Sequence, residues 1–261
     1  IRDSSVTGVQ TCALPILGAF LAFRSNDLKE ILAYSTVSQL GFLIGFYGLG
    51  GDEGIRFDLL HVASHVFYKG SLFMVAGIVD HAAGTRDLRH LGGLGRRLPL
   101  TAFAALVGTA SLASIPLTTG FISKELALAG LGDLWADKGA LALFFYAAVL
   151  LSAVLTVAFA LRLFLGVFAG KEPEGNAFHP PGVWIQLPPL LLAGAALFFG
   201  IFPGILGEWL DHFKVPGLQE IQSVEVVLWH GITRELLLST AAIASGAALY
   251  FWARKREWRW T

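Results

Sequence analysis

Cysteine is almost missing: Cys12 stands alone in 261 residues. The chain therefore has no internal disulfide and no CxxC pair to hold zinc or an iron–sulfur cluster. Charge is scarce as well. Asp, Glu, Lys and Arg make up 15% of the sequence, where a soluble domain carries about a quarter. The 19 basic residues are matched by 19 acidic ones, so there is no basic field with which to bind nucleic acid. No internal repeat is visible. The glycine-rich stretches at 48–51 and 92–95 neither follow a strand nor precede a GK[ST], which makes them turns and not phosphate loops. What the chain does have is 55% hydrophobic residues and a mean hydropathy of +0.64, the composition of an integral membrane protein.

The N-terminus needs separate treatment. Val6 to Ile16, VTGVQTCALPI, resembles a codon-for-codon translation of a short-read sequencing adapter. Residues 1–16 are accordingly set aside as non-native, and the chain is expected to be a piece of a longer protein that begins in mid-helix at Leu17.

From there Leu17–Phe23 reads as the tail of a truncated helix. Apolar segments follow at 31–49, 56–80, 98–131, 140–168, 183–206 and 232–253. Each reaches the roughly 20 residues that a hydrocarbon core requires. Turns are expected at Gly50–Gly54 and Asp133–Lys138, and a partly amphipathic connection at 208–230. Loop charge alternates in step with these crossings. The 81–97 loop holds Arg86, Arg89, Arg96 and Arg97, the 170–182 loop holds Lys171, and the tail holds Arg254, Lys255, Arg256 and Arg259. The intervening connections hold a single basic residue each. The basic connections fall on one side, so the expected fold is an all-α polytopic bundle in the cell membrane with its C-terminal tail in the cytoplasm. Trp229, Trp252, Trp258 and Trp260 sit near span ends, where indoles anchor to the interface.

Two of these segments carry polar chemistry. His61, His65 and Lys69 are spaced four apart, so on a helix they share one face. Ionisable groups at membrane depth face a protein interior or a wet cavity and mark ion pathways. Imidazole exchanges protons near neutral pH. Two other readings stay open here: interior histidines bonded to neighbouring helices, and a metal pair. The metal pair lacks a nearby third ligand and has Lys69 one turn away to repel a cation. The 98–131 segment is too long for an upright span and contains Ser114, Pro116, Thr118, Thr119 and Gly120 in its middle. Proline removes a backbone donor and glycine relaxes the chain, so a broken helix is expected. Unwound backbone at that depth must be protein-buried or line a wet cavity. Lys124 follows in the resumed helix, too deep to snorkel, where a lysine can serve as a proton carrier. An ordinary proline kink is the plainer alternative.

These residues also carry a resemblance. Lys29 to Gly41 is similar to the KxxLAYSTxSQxG signature of the antiporter-like subunits of respiratory complex I and Mrp antiporters. His61, His65 and Lys69 fall on that family's HxxxHxxxKxxLF pattern, with Gly70 in place of the usual alanine. Gly120 to Lys124 resembles its GFxSK motif. The stretch from Asp80 to Asp87 resembles the DHxxGTRD of the A-type subunits of Mrp Na+/H+ antiporters, as do Leu187-Pro188-Pro189 and Leu228-Trp229-His230-Gly231.

The resemblance implies two inverted five-helix repeats, each with one broken helix. Residues 17–168 would be most of the second repeat, and 169–261 further helices and the tail. It implies protons and Na+ as transported ions, other membrane subunits as partners, no cofactor or metal, and no enzymatic chemistry in the chain itself. Lys124 would be the central proton acceptor, with Lys69, His65 and His61 as a hydrated relay and the 114–120 break lining the path. The first repeat would be absent, so an isolated copy should not transport. The alternatives are a proton-pumping subunit of NADH-quinone oxidoreductase or a membrane-bound hydrogenase, and a purely structural membrane subunit.

Overall fold

A computed structural model of the chain describes residues 4–138, 140–171, 178–211, 231 and 233–256. Its helices are α1 (Ser4–Arg24), α2 (Leu28–Ala83), α3 (Pro99–Leu112), α4 (Thr119–Lys138), α5 (Ala140–Phe168), α6 (Val183–Ile201), α7 (Pro203–Asp211) and α8 (Arg234–Lys255). Two short 3-10 turns, Leu88–His90 and Leu94–Arg96, fill the segment before α3. Among the described residues there is no strand, and the fold is an all-α membrane bundle with one discontinuous helix.

Helix α2 has 56 residues, yet it doubles back. On a straight helix Phe42 and His61 would stand about 28 Å apart, whereas their ring centroids lie 5.3 Å apart. Farther along, Lys69 Nζ donates to the Leu32 carbonyl at 3.0 Å and Lys29 pairs with Asp80 at 2.8 Å. The chain thus reverses between Phe42 and His61 and forms two antiparallel arms. Helical geometry runs through Gly50–Gly54, where the composition indicates a turn, but the reversal lies in the interval that contains it.

Other expectations shift more. Helix α4 continues through Asp133–Lys138, because that stretch has no Gly or Pro and includes the helix formers Leu134, Ala136 and Lys138. The 98–131 segment is two helices of 14 and 20 residues, and the 183–206 run is interrupted at Phe202 ahead of Pro203. Four helical stretches among the described residues are long and apolar enough to cross a membrane: Leu59–Ala83, Leu143–Phe168, Val183–Ile201 and Arg234–Lys255. The 98–131 segment is not among them because it is broken, as its Pro116 and Gly120 predict. At the N-terminus the helix extends back past Leu17 to Ser4 despite Pro15, and the Pro15 carbonyl accepts from Ser38 Oγ at 2.7 Å. Trp252 is exposed; Trp229, Trp258, Trp260 and most of 208–230 lie outside the described residues.

One end of the bundle gathers the basic connections. Gly84, at φ +66°, closes α2 in the left-handed region that a side chain resists. At the other end of α2, Asp27 caps the helix by accepting from the Lys29 and Glu30 amides at 2.8 and 3.2 Å. Asp27 also pairs with Arg86 and bridges to Asp87, so the two ends of α2 are tied to each other. The Gly93 amide donates to the Ala169 carbonyl, and the His179 amide to Ala82. Arg162, from the last turns of α5, is buried and donates to the Phe23 and Ser25 carbonyls and to Asn26 Oδ1. Those carbonyls would otherwise be orphaned at the end of α1.

At this end Arg89 holds the Asp87 carboxyl down at about 2, from an ordinary 3.8, chiefly by hydrogen bonding. A depressed carboxylate stabilises the fold above its unfolded pKa and loses that contribution as pH falls toward the folded one. Thermal unfolding of the solubilised protein should therefore show a loss between about pH 3.8 and about pH 2 that Asp87→Asn reduces. Equal losses in both proteins would contradict the pairing. A second prediction concerns packing. A Cβ on Gly120 would overlap the Ser111 carbonyl, while one on Gly77 meets nothing within 4 Å. Gly120→Ala should cost about 1–3 kcal/mol through overpacking, and Gly77→Ala should be neutral or gain about 0.5–1 kcal/mol. Indistinguishable melting temperatures would refute this.

Candidate functional site

The site is built around the break between α3 and α4. Helix α3 ends in a Schellman arrangement: the Ile115 amide donates to the Ala110 carbonyl at 2.9 Å and the Ser114 amide to the Ser111 carbonyl at 3.1 Å. Glycine ordinarily takes the left-handed position of this motif, but here Ser114 holds φ 59°, and Leu117 follows at φ 71°. Each is an uncommon conformation costing on the order of 1–3 kcal/mol, of the kind that gathers at functional sites. Serines and a lysine satisfy the freed backbone. Ser111 Oγ accepts from the Gly120 amide at 3.1 Å, Ser64 Oγ donates to the Thr119 carbonyl at 3.3 Å, and Lys124 Nζ donates to the Leu112 carbonyl at 2.7 Å. Lys124 therefore supplies a cationic donor to the negative end of α3, the favourable polarity. Of the residues expected at the break, Ser114 is half-buried, Thr118, Thr119 and Gly120 are buried, and Pro116 is exposed. Pro116 thus shapes the break without lining its interior, since the turn around Leu117 carries it outward.

The second arm of α2 lies against this break. His61 and Lys69 are buried and His65 is half-buried. His61 Nδ1 is 3.3 Å from Ser123 Oγ, the residue before Lys124, and the His61 and His65 ring centroids are 6.2 Å apart. His65 Nδ1 is 3.2 Å from the Tyr68 hydroxyl. The two imidazoles thus use their Nδ1 atoms on different hydroxyls, on α4 and α2 respectively. Lys69 donates to the Leu32 carbonyl and to Ser35 Oγ. Lys124 lies within electrostatic reach of His61, His65 and Lys69 alike. The structure therefore brings all four nitrogen-bearing side chains together.

Between the break and α5 lies a cavity of about 40 Å3, lined by Gln39, Ser114, Lys124, Ser152, Thr156 and Ser239 together with apolar side chains. At roughly 10–15 Å3 per water it has room for about three. Gln39 Oε1 and Ser114 Oγ are buried there without a hydrogen-bond partner, and His61 Nε2 and Thr119 Oγ1 are likewise unpartnered among the described residues. Buried polar atoms are nearly always bonded, so two orphans on the wall of one cavity fit a site that takes up water.

Sequence reasoning missed Gln39, Ser35, Tyr68 and Ser123 as members of the site. Ser35 and Gln39 sit four apart on the first arm of α2, one reaching Lys69 and the other the Lys124 cavity. Their signal was the run of hydroxyls and an amide at 34–39 inside an apolar segment.

Comparison with known proteins bears on the family and the fold. The model of the NADH:quinone oxidoreductase/Mrp antiporter transmembrane family matches residues 8–159. A probable K+/H+ antiporter A/B subunit of Rhizobium meliloti is 35% identical over 95% of this chain and 25% of its own. The A-type subunit of the Na+/H+ antiporter of Alkalihalophilus pseudofirmus is 34% identical over 91% of this chain and 33% of its own. Among solved structures, the Mrp complex from Dietzia sp. DQ12-45-1b superposes with a TM-score of 0.81 at 32% identity, covering 95% of this chain and 27% of that one. The chain thus spans about a quarter to a third of the relatives it matches. It belongs to the NADH:quinone oxidoreductase/Mrp antiporter transmembrane family.

Proposed function

We propose that this chain is part of a proton-translocating membrane subunit of a multisubunit cation/proton antiporter, with Na+ as the exchanged cation. The observation that carries the proposal is the placement of Lys124. Its ammonium sits on a carbonyl freed by the break, beside a cavity with orphaned polar walls, within electrostatic reach of His61, His65 and Lys69. Lys124 acts as the central proton acceptor. Lys69, His65 and His61 form the relay toward it, with Ser114, Pro116, Thr118, Thr119 and Gly120 forming the break that makes room for water. A charge on one nitrogen repels charge on the next, so protons move on and do not accumulate. Na+ couples to them from a site elsewhere in the complex.

The proposal extends to the frame. Residues 17–168 belong to the second of two inverted repeats, 169–261 supply further helices and a cytoplasmic tail, and 1–16 are foreign to the native protein. The whole protein is multi-pass in the cell membrane, works with other membrane subunits, and is a transporter component and not an enzyme. The gathering of Arg86, Arg89, Lys171 and Arg254 at one end of the bundle supports that orientation.

The test is made in a complete complex. Lys124→Ala should abolish proton-coupled Na+ efflux from membrane vesicles while leaving assembly of the complex intact. Lys124→Arg should fail as well, because a guanidinium does not release its proton. Normal transport in either variant would overturn the assignment and favour a purely structural role. Copurification with redox subunits and activity with NADH would favour the respiratory-complex alternative, to which the family name also extends.

A further inference from the structure

We propose that a pocket at the basic end of the bundle binds a phosphate-bearing anion, either the headgroup of an anionic phospholipid or free phosphate. The pocket has a volume of about 320 Å3, at the lower edge of the roughly 300–1,000 Å3 of ordinary ligand sites. It lies where the last turn of α5, the last turn of α8 and the 88–92 segment meet, and Arg89, Arg162, Lys171 and Arg254 all line it. These cations come from separate stretches of the chain, so helix periodicity does not account for their convergence.

Among the described residues the opposing charges are few. Asp87 faces this region and pairs with Arg89. The carbonyl ends of α1, α5 and α8 add about half a negative charge each. Set against four cations, these leave the described part of the pocket at a net charge of about +1.5. Complementing helix ends would explain Arg254 in the last turn of α8 and Arg162 at the end of α1, but not the opening of Arg89, from a separate segment, onto the same hollow.

The cations also divide the work. Arg162 is buried and fixed by its bonds to the Phe23 and Ser25 carbonyls and Asn26 Oδ1, so it forms a rigid wall. Lys171 and Arg254 are exposed, without a carboxylate partner among the described residues, and able to close on a ligand. Leu88 and Leu165 give the pocket an apolar side, which a glycerol backbone or acyl chain can follow. Juxtamembrane basic groups gain about 1 kcal/mol each from anionic lipid, so binding should show in a direct assay.

The test uses the complete complex and reads binding, not transport, so its outcome is separate from that of the proton-relay assignment. In one arm the complex is placed in nanodiscs of phosphatidylcholine with or without phosphatidylglycerol, and retained phospholipid is counted by native mass spectrometry after detergent washing. In the other, inorganic phosphate is titrated against the melting temperature of the complex in detergent. The variants are Lys171→Gln with Arg254→Gln, which removes charge, and Ala169→Trp, which fills the pocket and leaves its charge; Lys255→Gln is the control outside it. Loss of phosphatidylglycerol retention by more than about tenfold in both variants and not in the control supports the proposal with lipid as the source. A phosphate-dependent stabilisation lost in both variants supports it with free phosphate as the source. If neither anion distinguishes the wild type from the variants, the pocket is not an anion site.

Discussion

Opening a helix inside a membrane frees backbone groups that hydrocarbon cannot satisfy, and the molecule is arranged around meeting that demand. The 113–118 break sets carbonyls and amides loose at the level where α3 gives way to α4. Ser111, Ser64 and Lys124 take them up from three directions. The requirement is electrostatic before it is functional: an unsatisfied amide or carbonyl in such a medium costs several kcal/mol. Meeting it with a lysine places a protonatable amine on a helix end, and meeting the rest with small hydroxyls leaves space. Break, amine and cavity are therefore one solution to one constraint.

The remainder of the fold holds that solution in position. The two arms of α2 bring Lys69, on one arm, onto Ser35 of the other, 34 residues away in sequence. The second arm then carries His61 to Ser123, beside Lys124. At the basic end, Asp27, Arg86 and Asp80 tie the start of α2 to its finish, which fixes the register of the arms. Much of the DHxxGTRD stretch thereby acquires a physical role away from the proton-bearing groups: Asp80 and Arg86 make cross-arm ion pairs, Gly84 supplies the left-handed cap, and Asp87 caps the next turn.

Legibility followed the range of the interactions involved. Composition exposed the membrane class, and the four-residue spacing of His61, His65 and Lys69 exposed their shared face, because both depend on local pattern. Pro116 and Gly120 announced the break for the same reason. Features that depend on contacts between distant segments were not readable. Periodicity could not show that Leu32 and Ser35 would receive Lys69, or that Gln39 would border the Lys124 cavity. Nor could it show helix α4 running on through Asp133–Lys138, where charged residues suggested a turn but nothing in the backbone chemistry forces one. Run length likewise gave no sign of the interruption at Phe202.

The central claim is that the groups around Lys124 enclose water. The most direct measurement is a high-resolution density map of the complete complex in lipid. The account predicts ordered water in the cavity, bonded to Gln39 Oε1 and Ser114 Oγ and leading to the Lys124 amine. A dry or collapsed cavity, with both polar atoms satisfied by protein and Lys124 turned toward lipid, would contradict it.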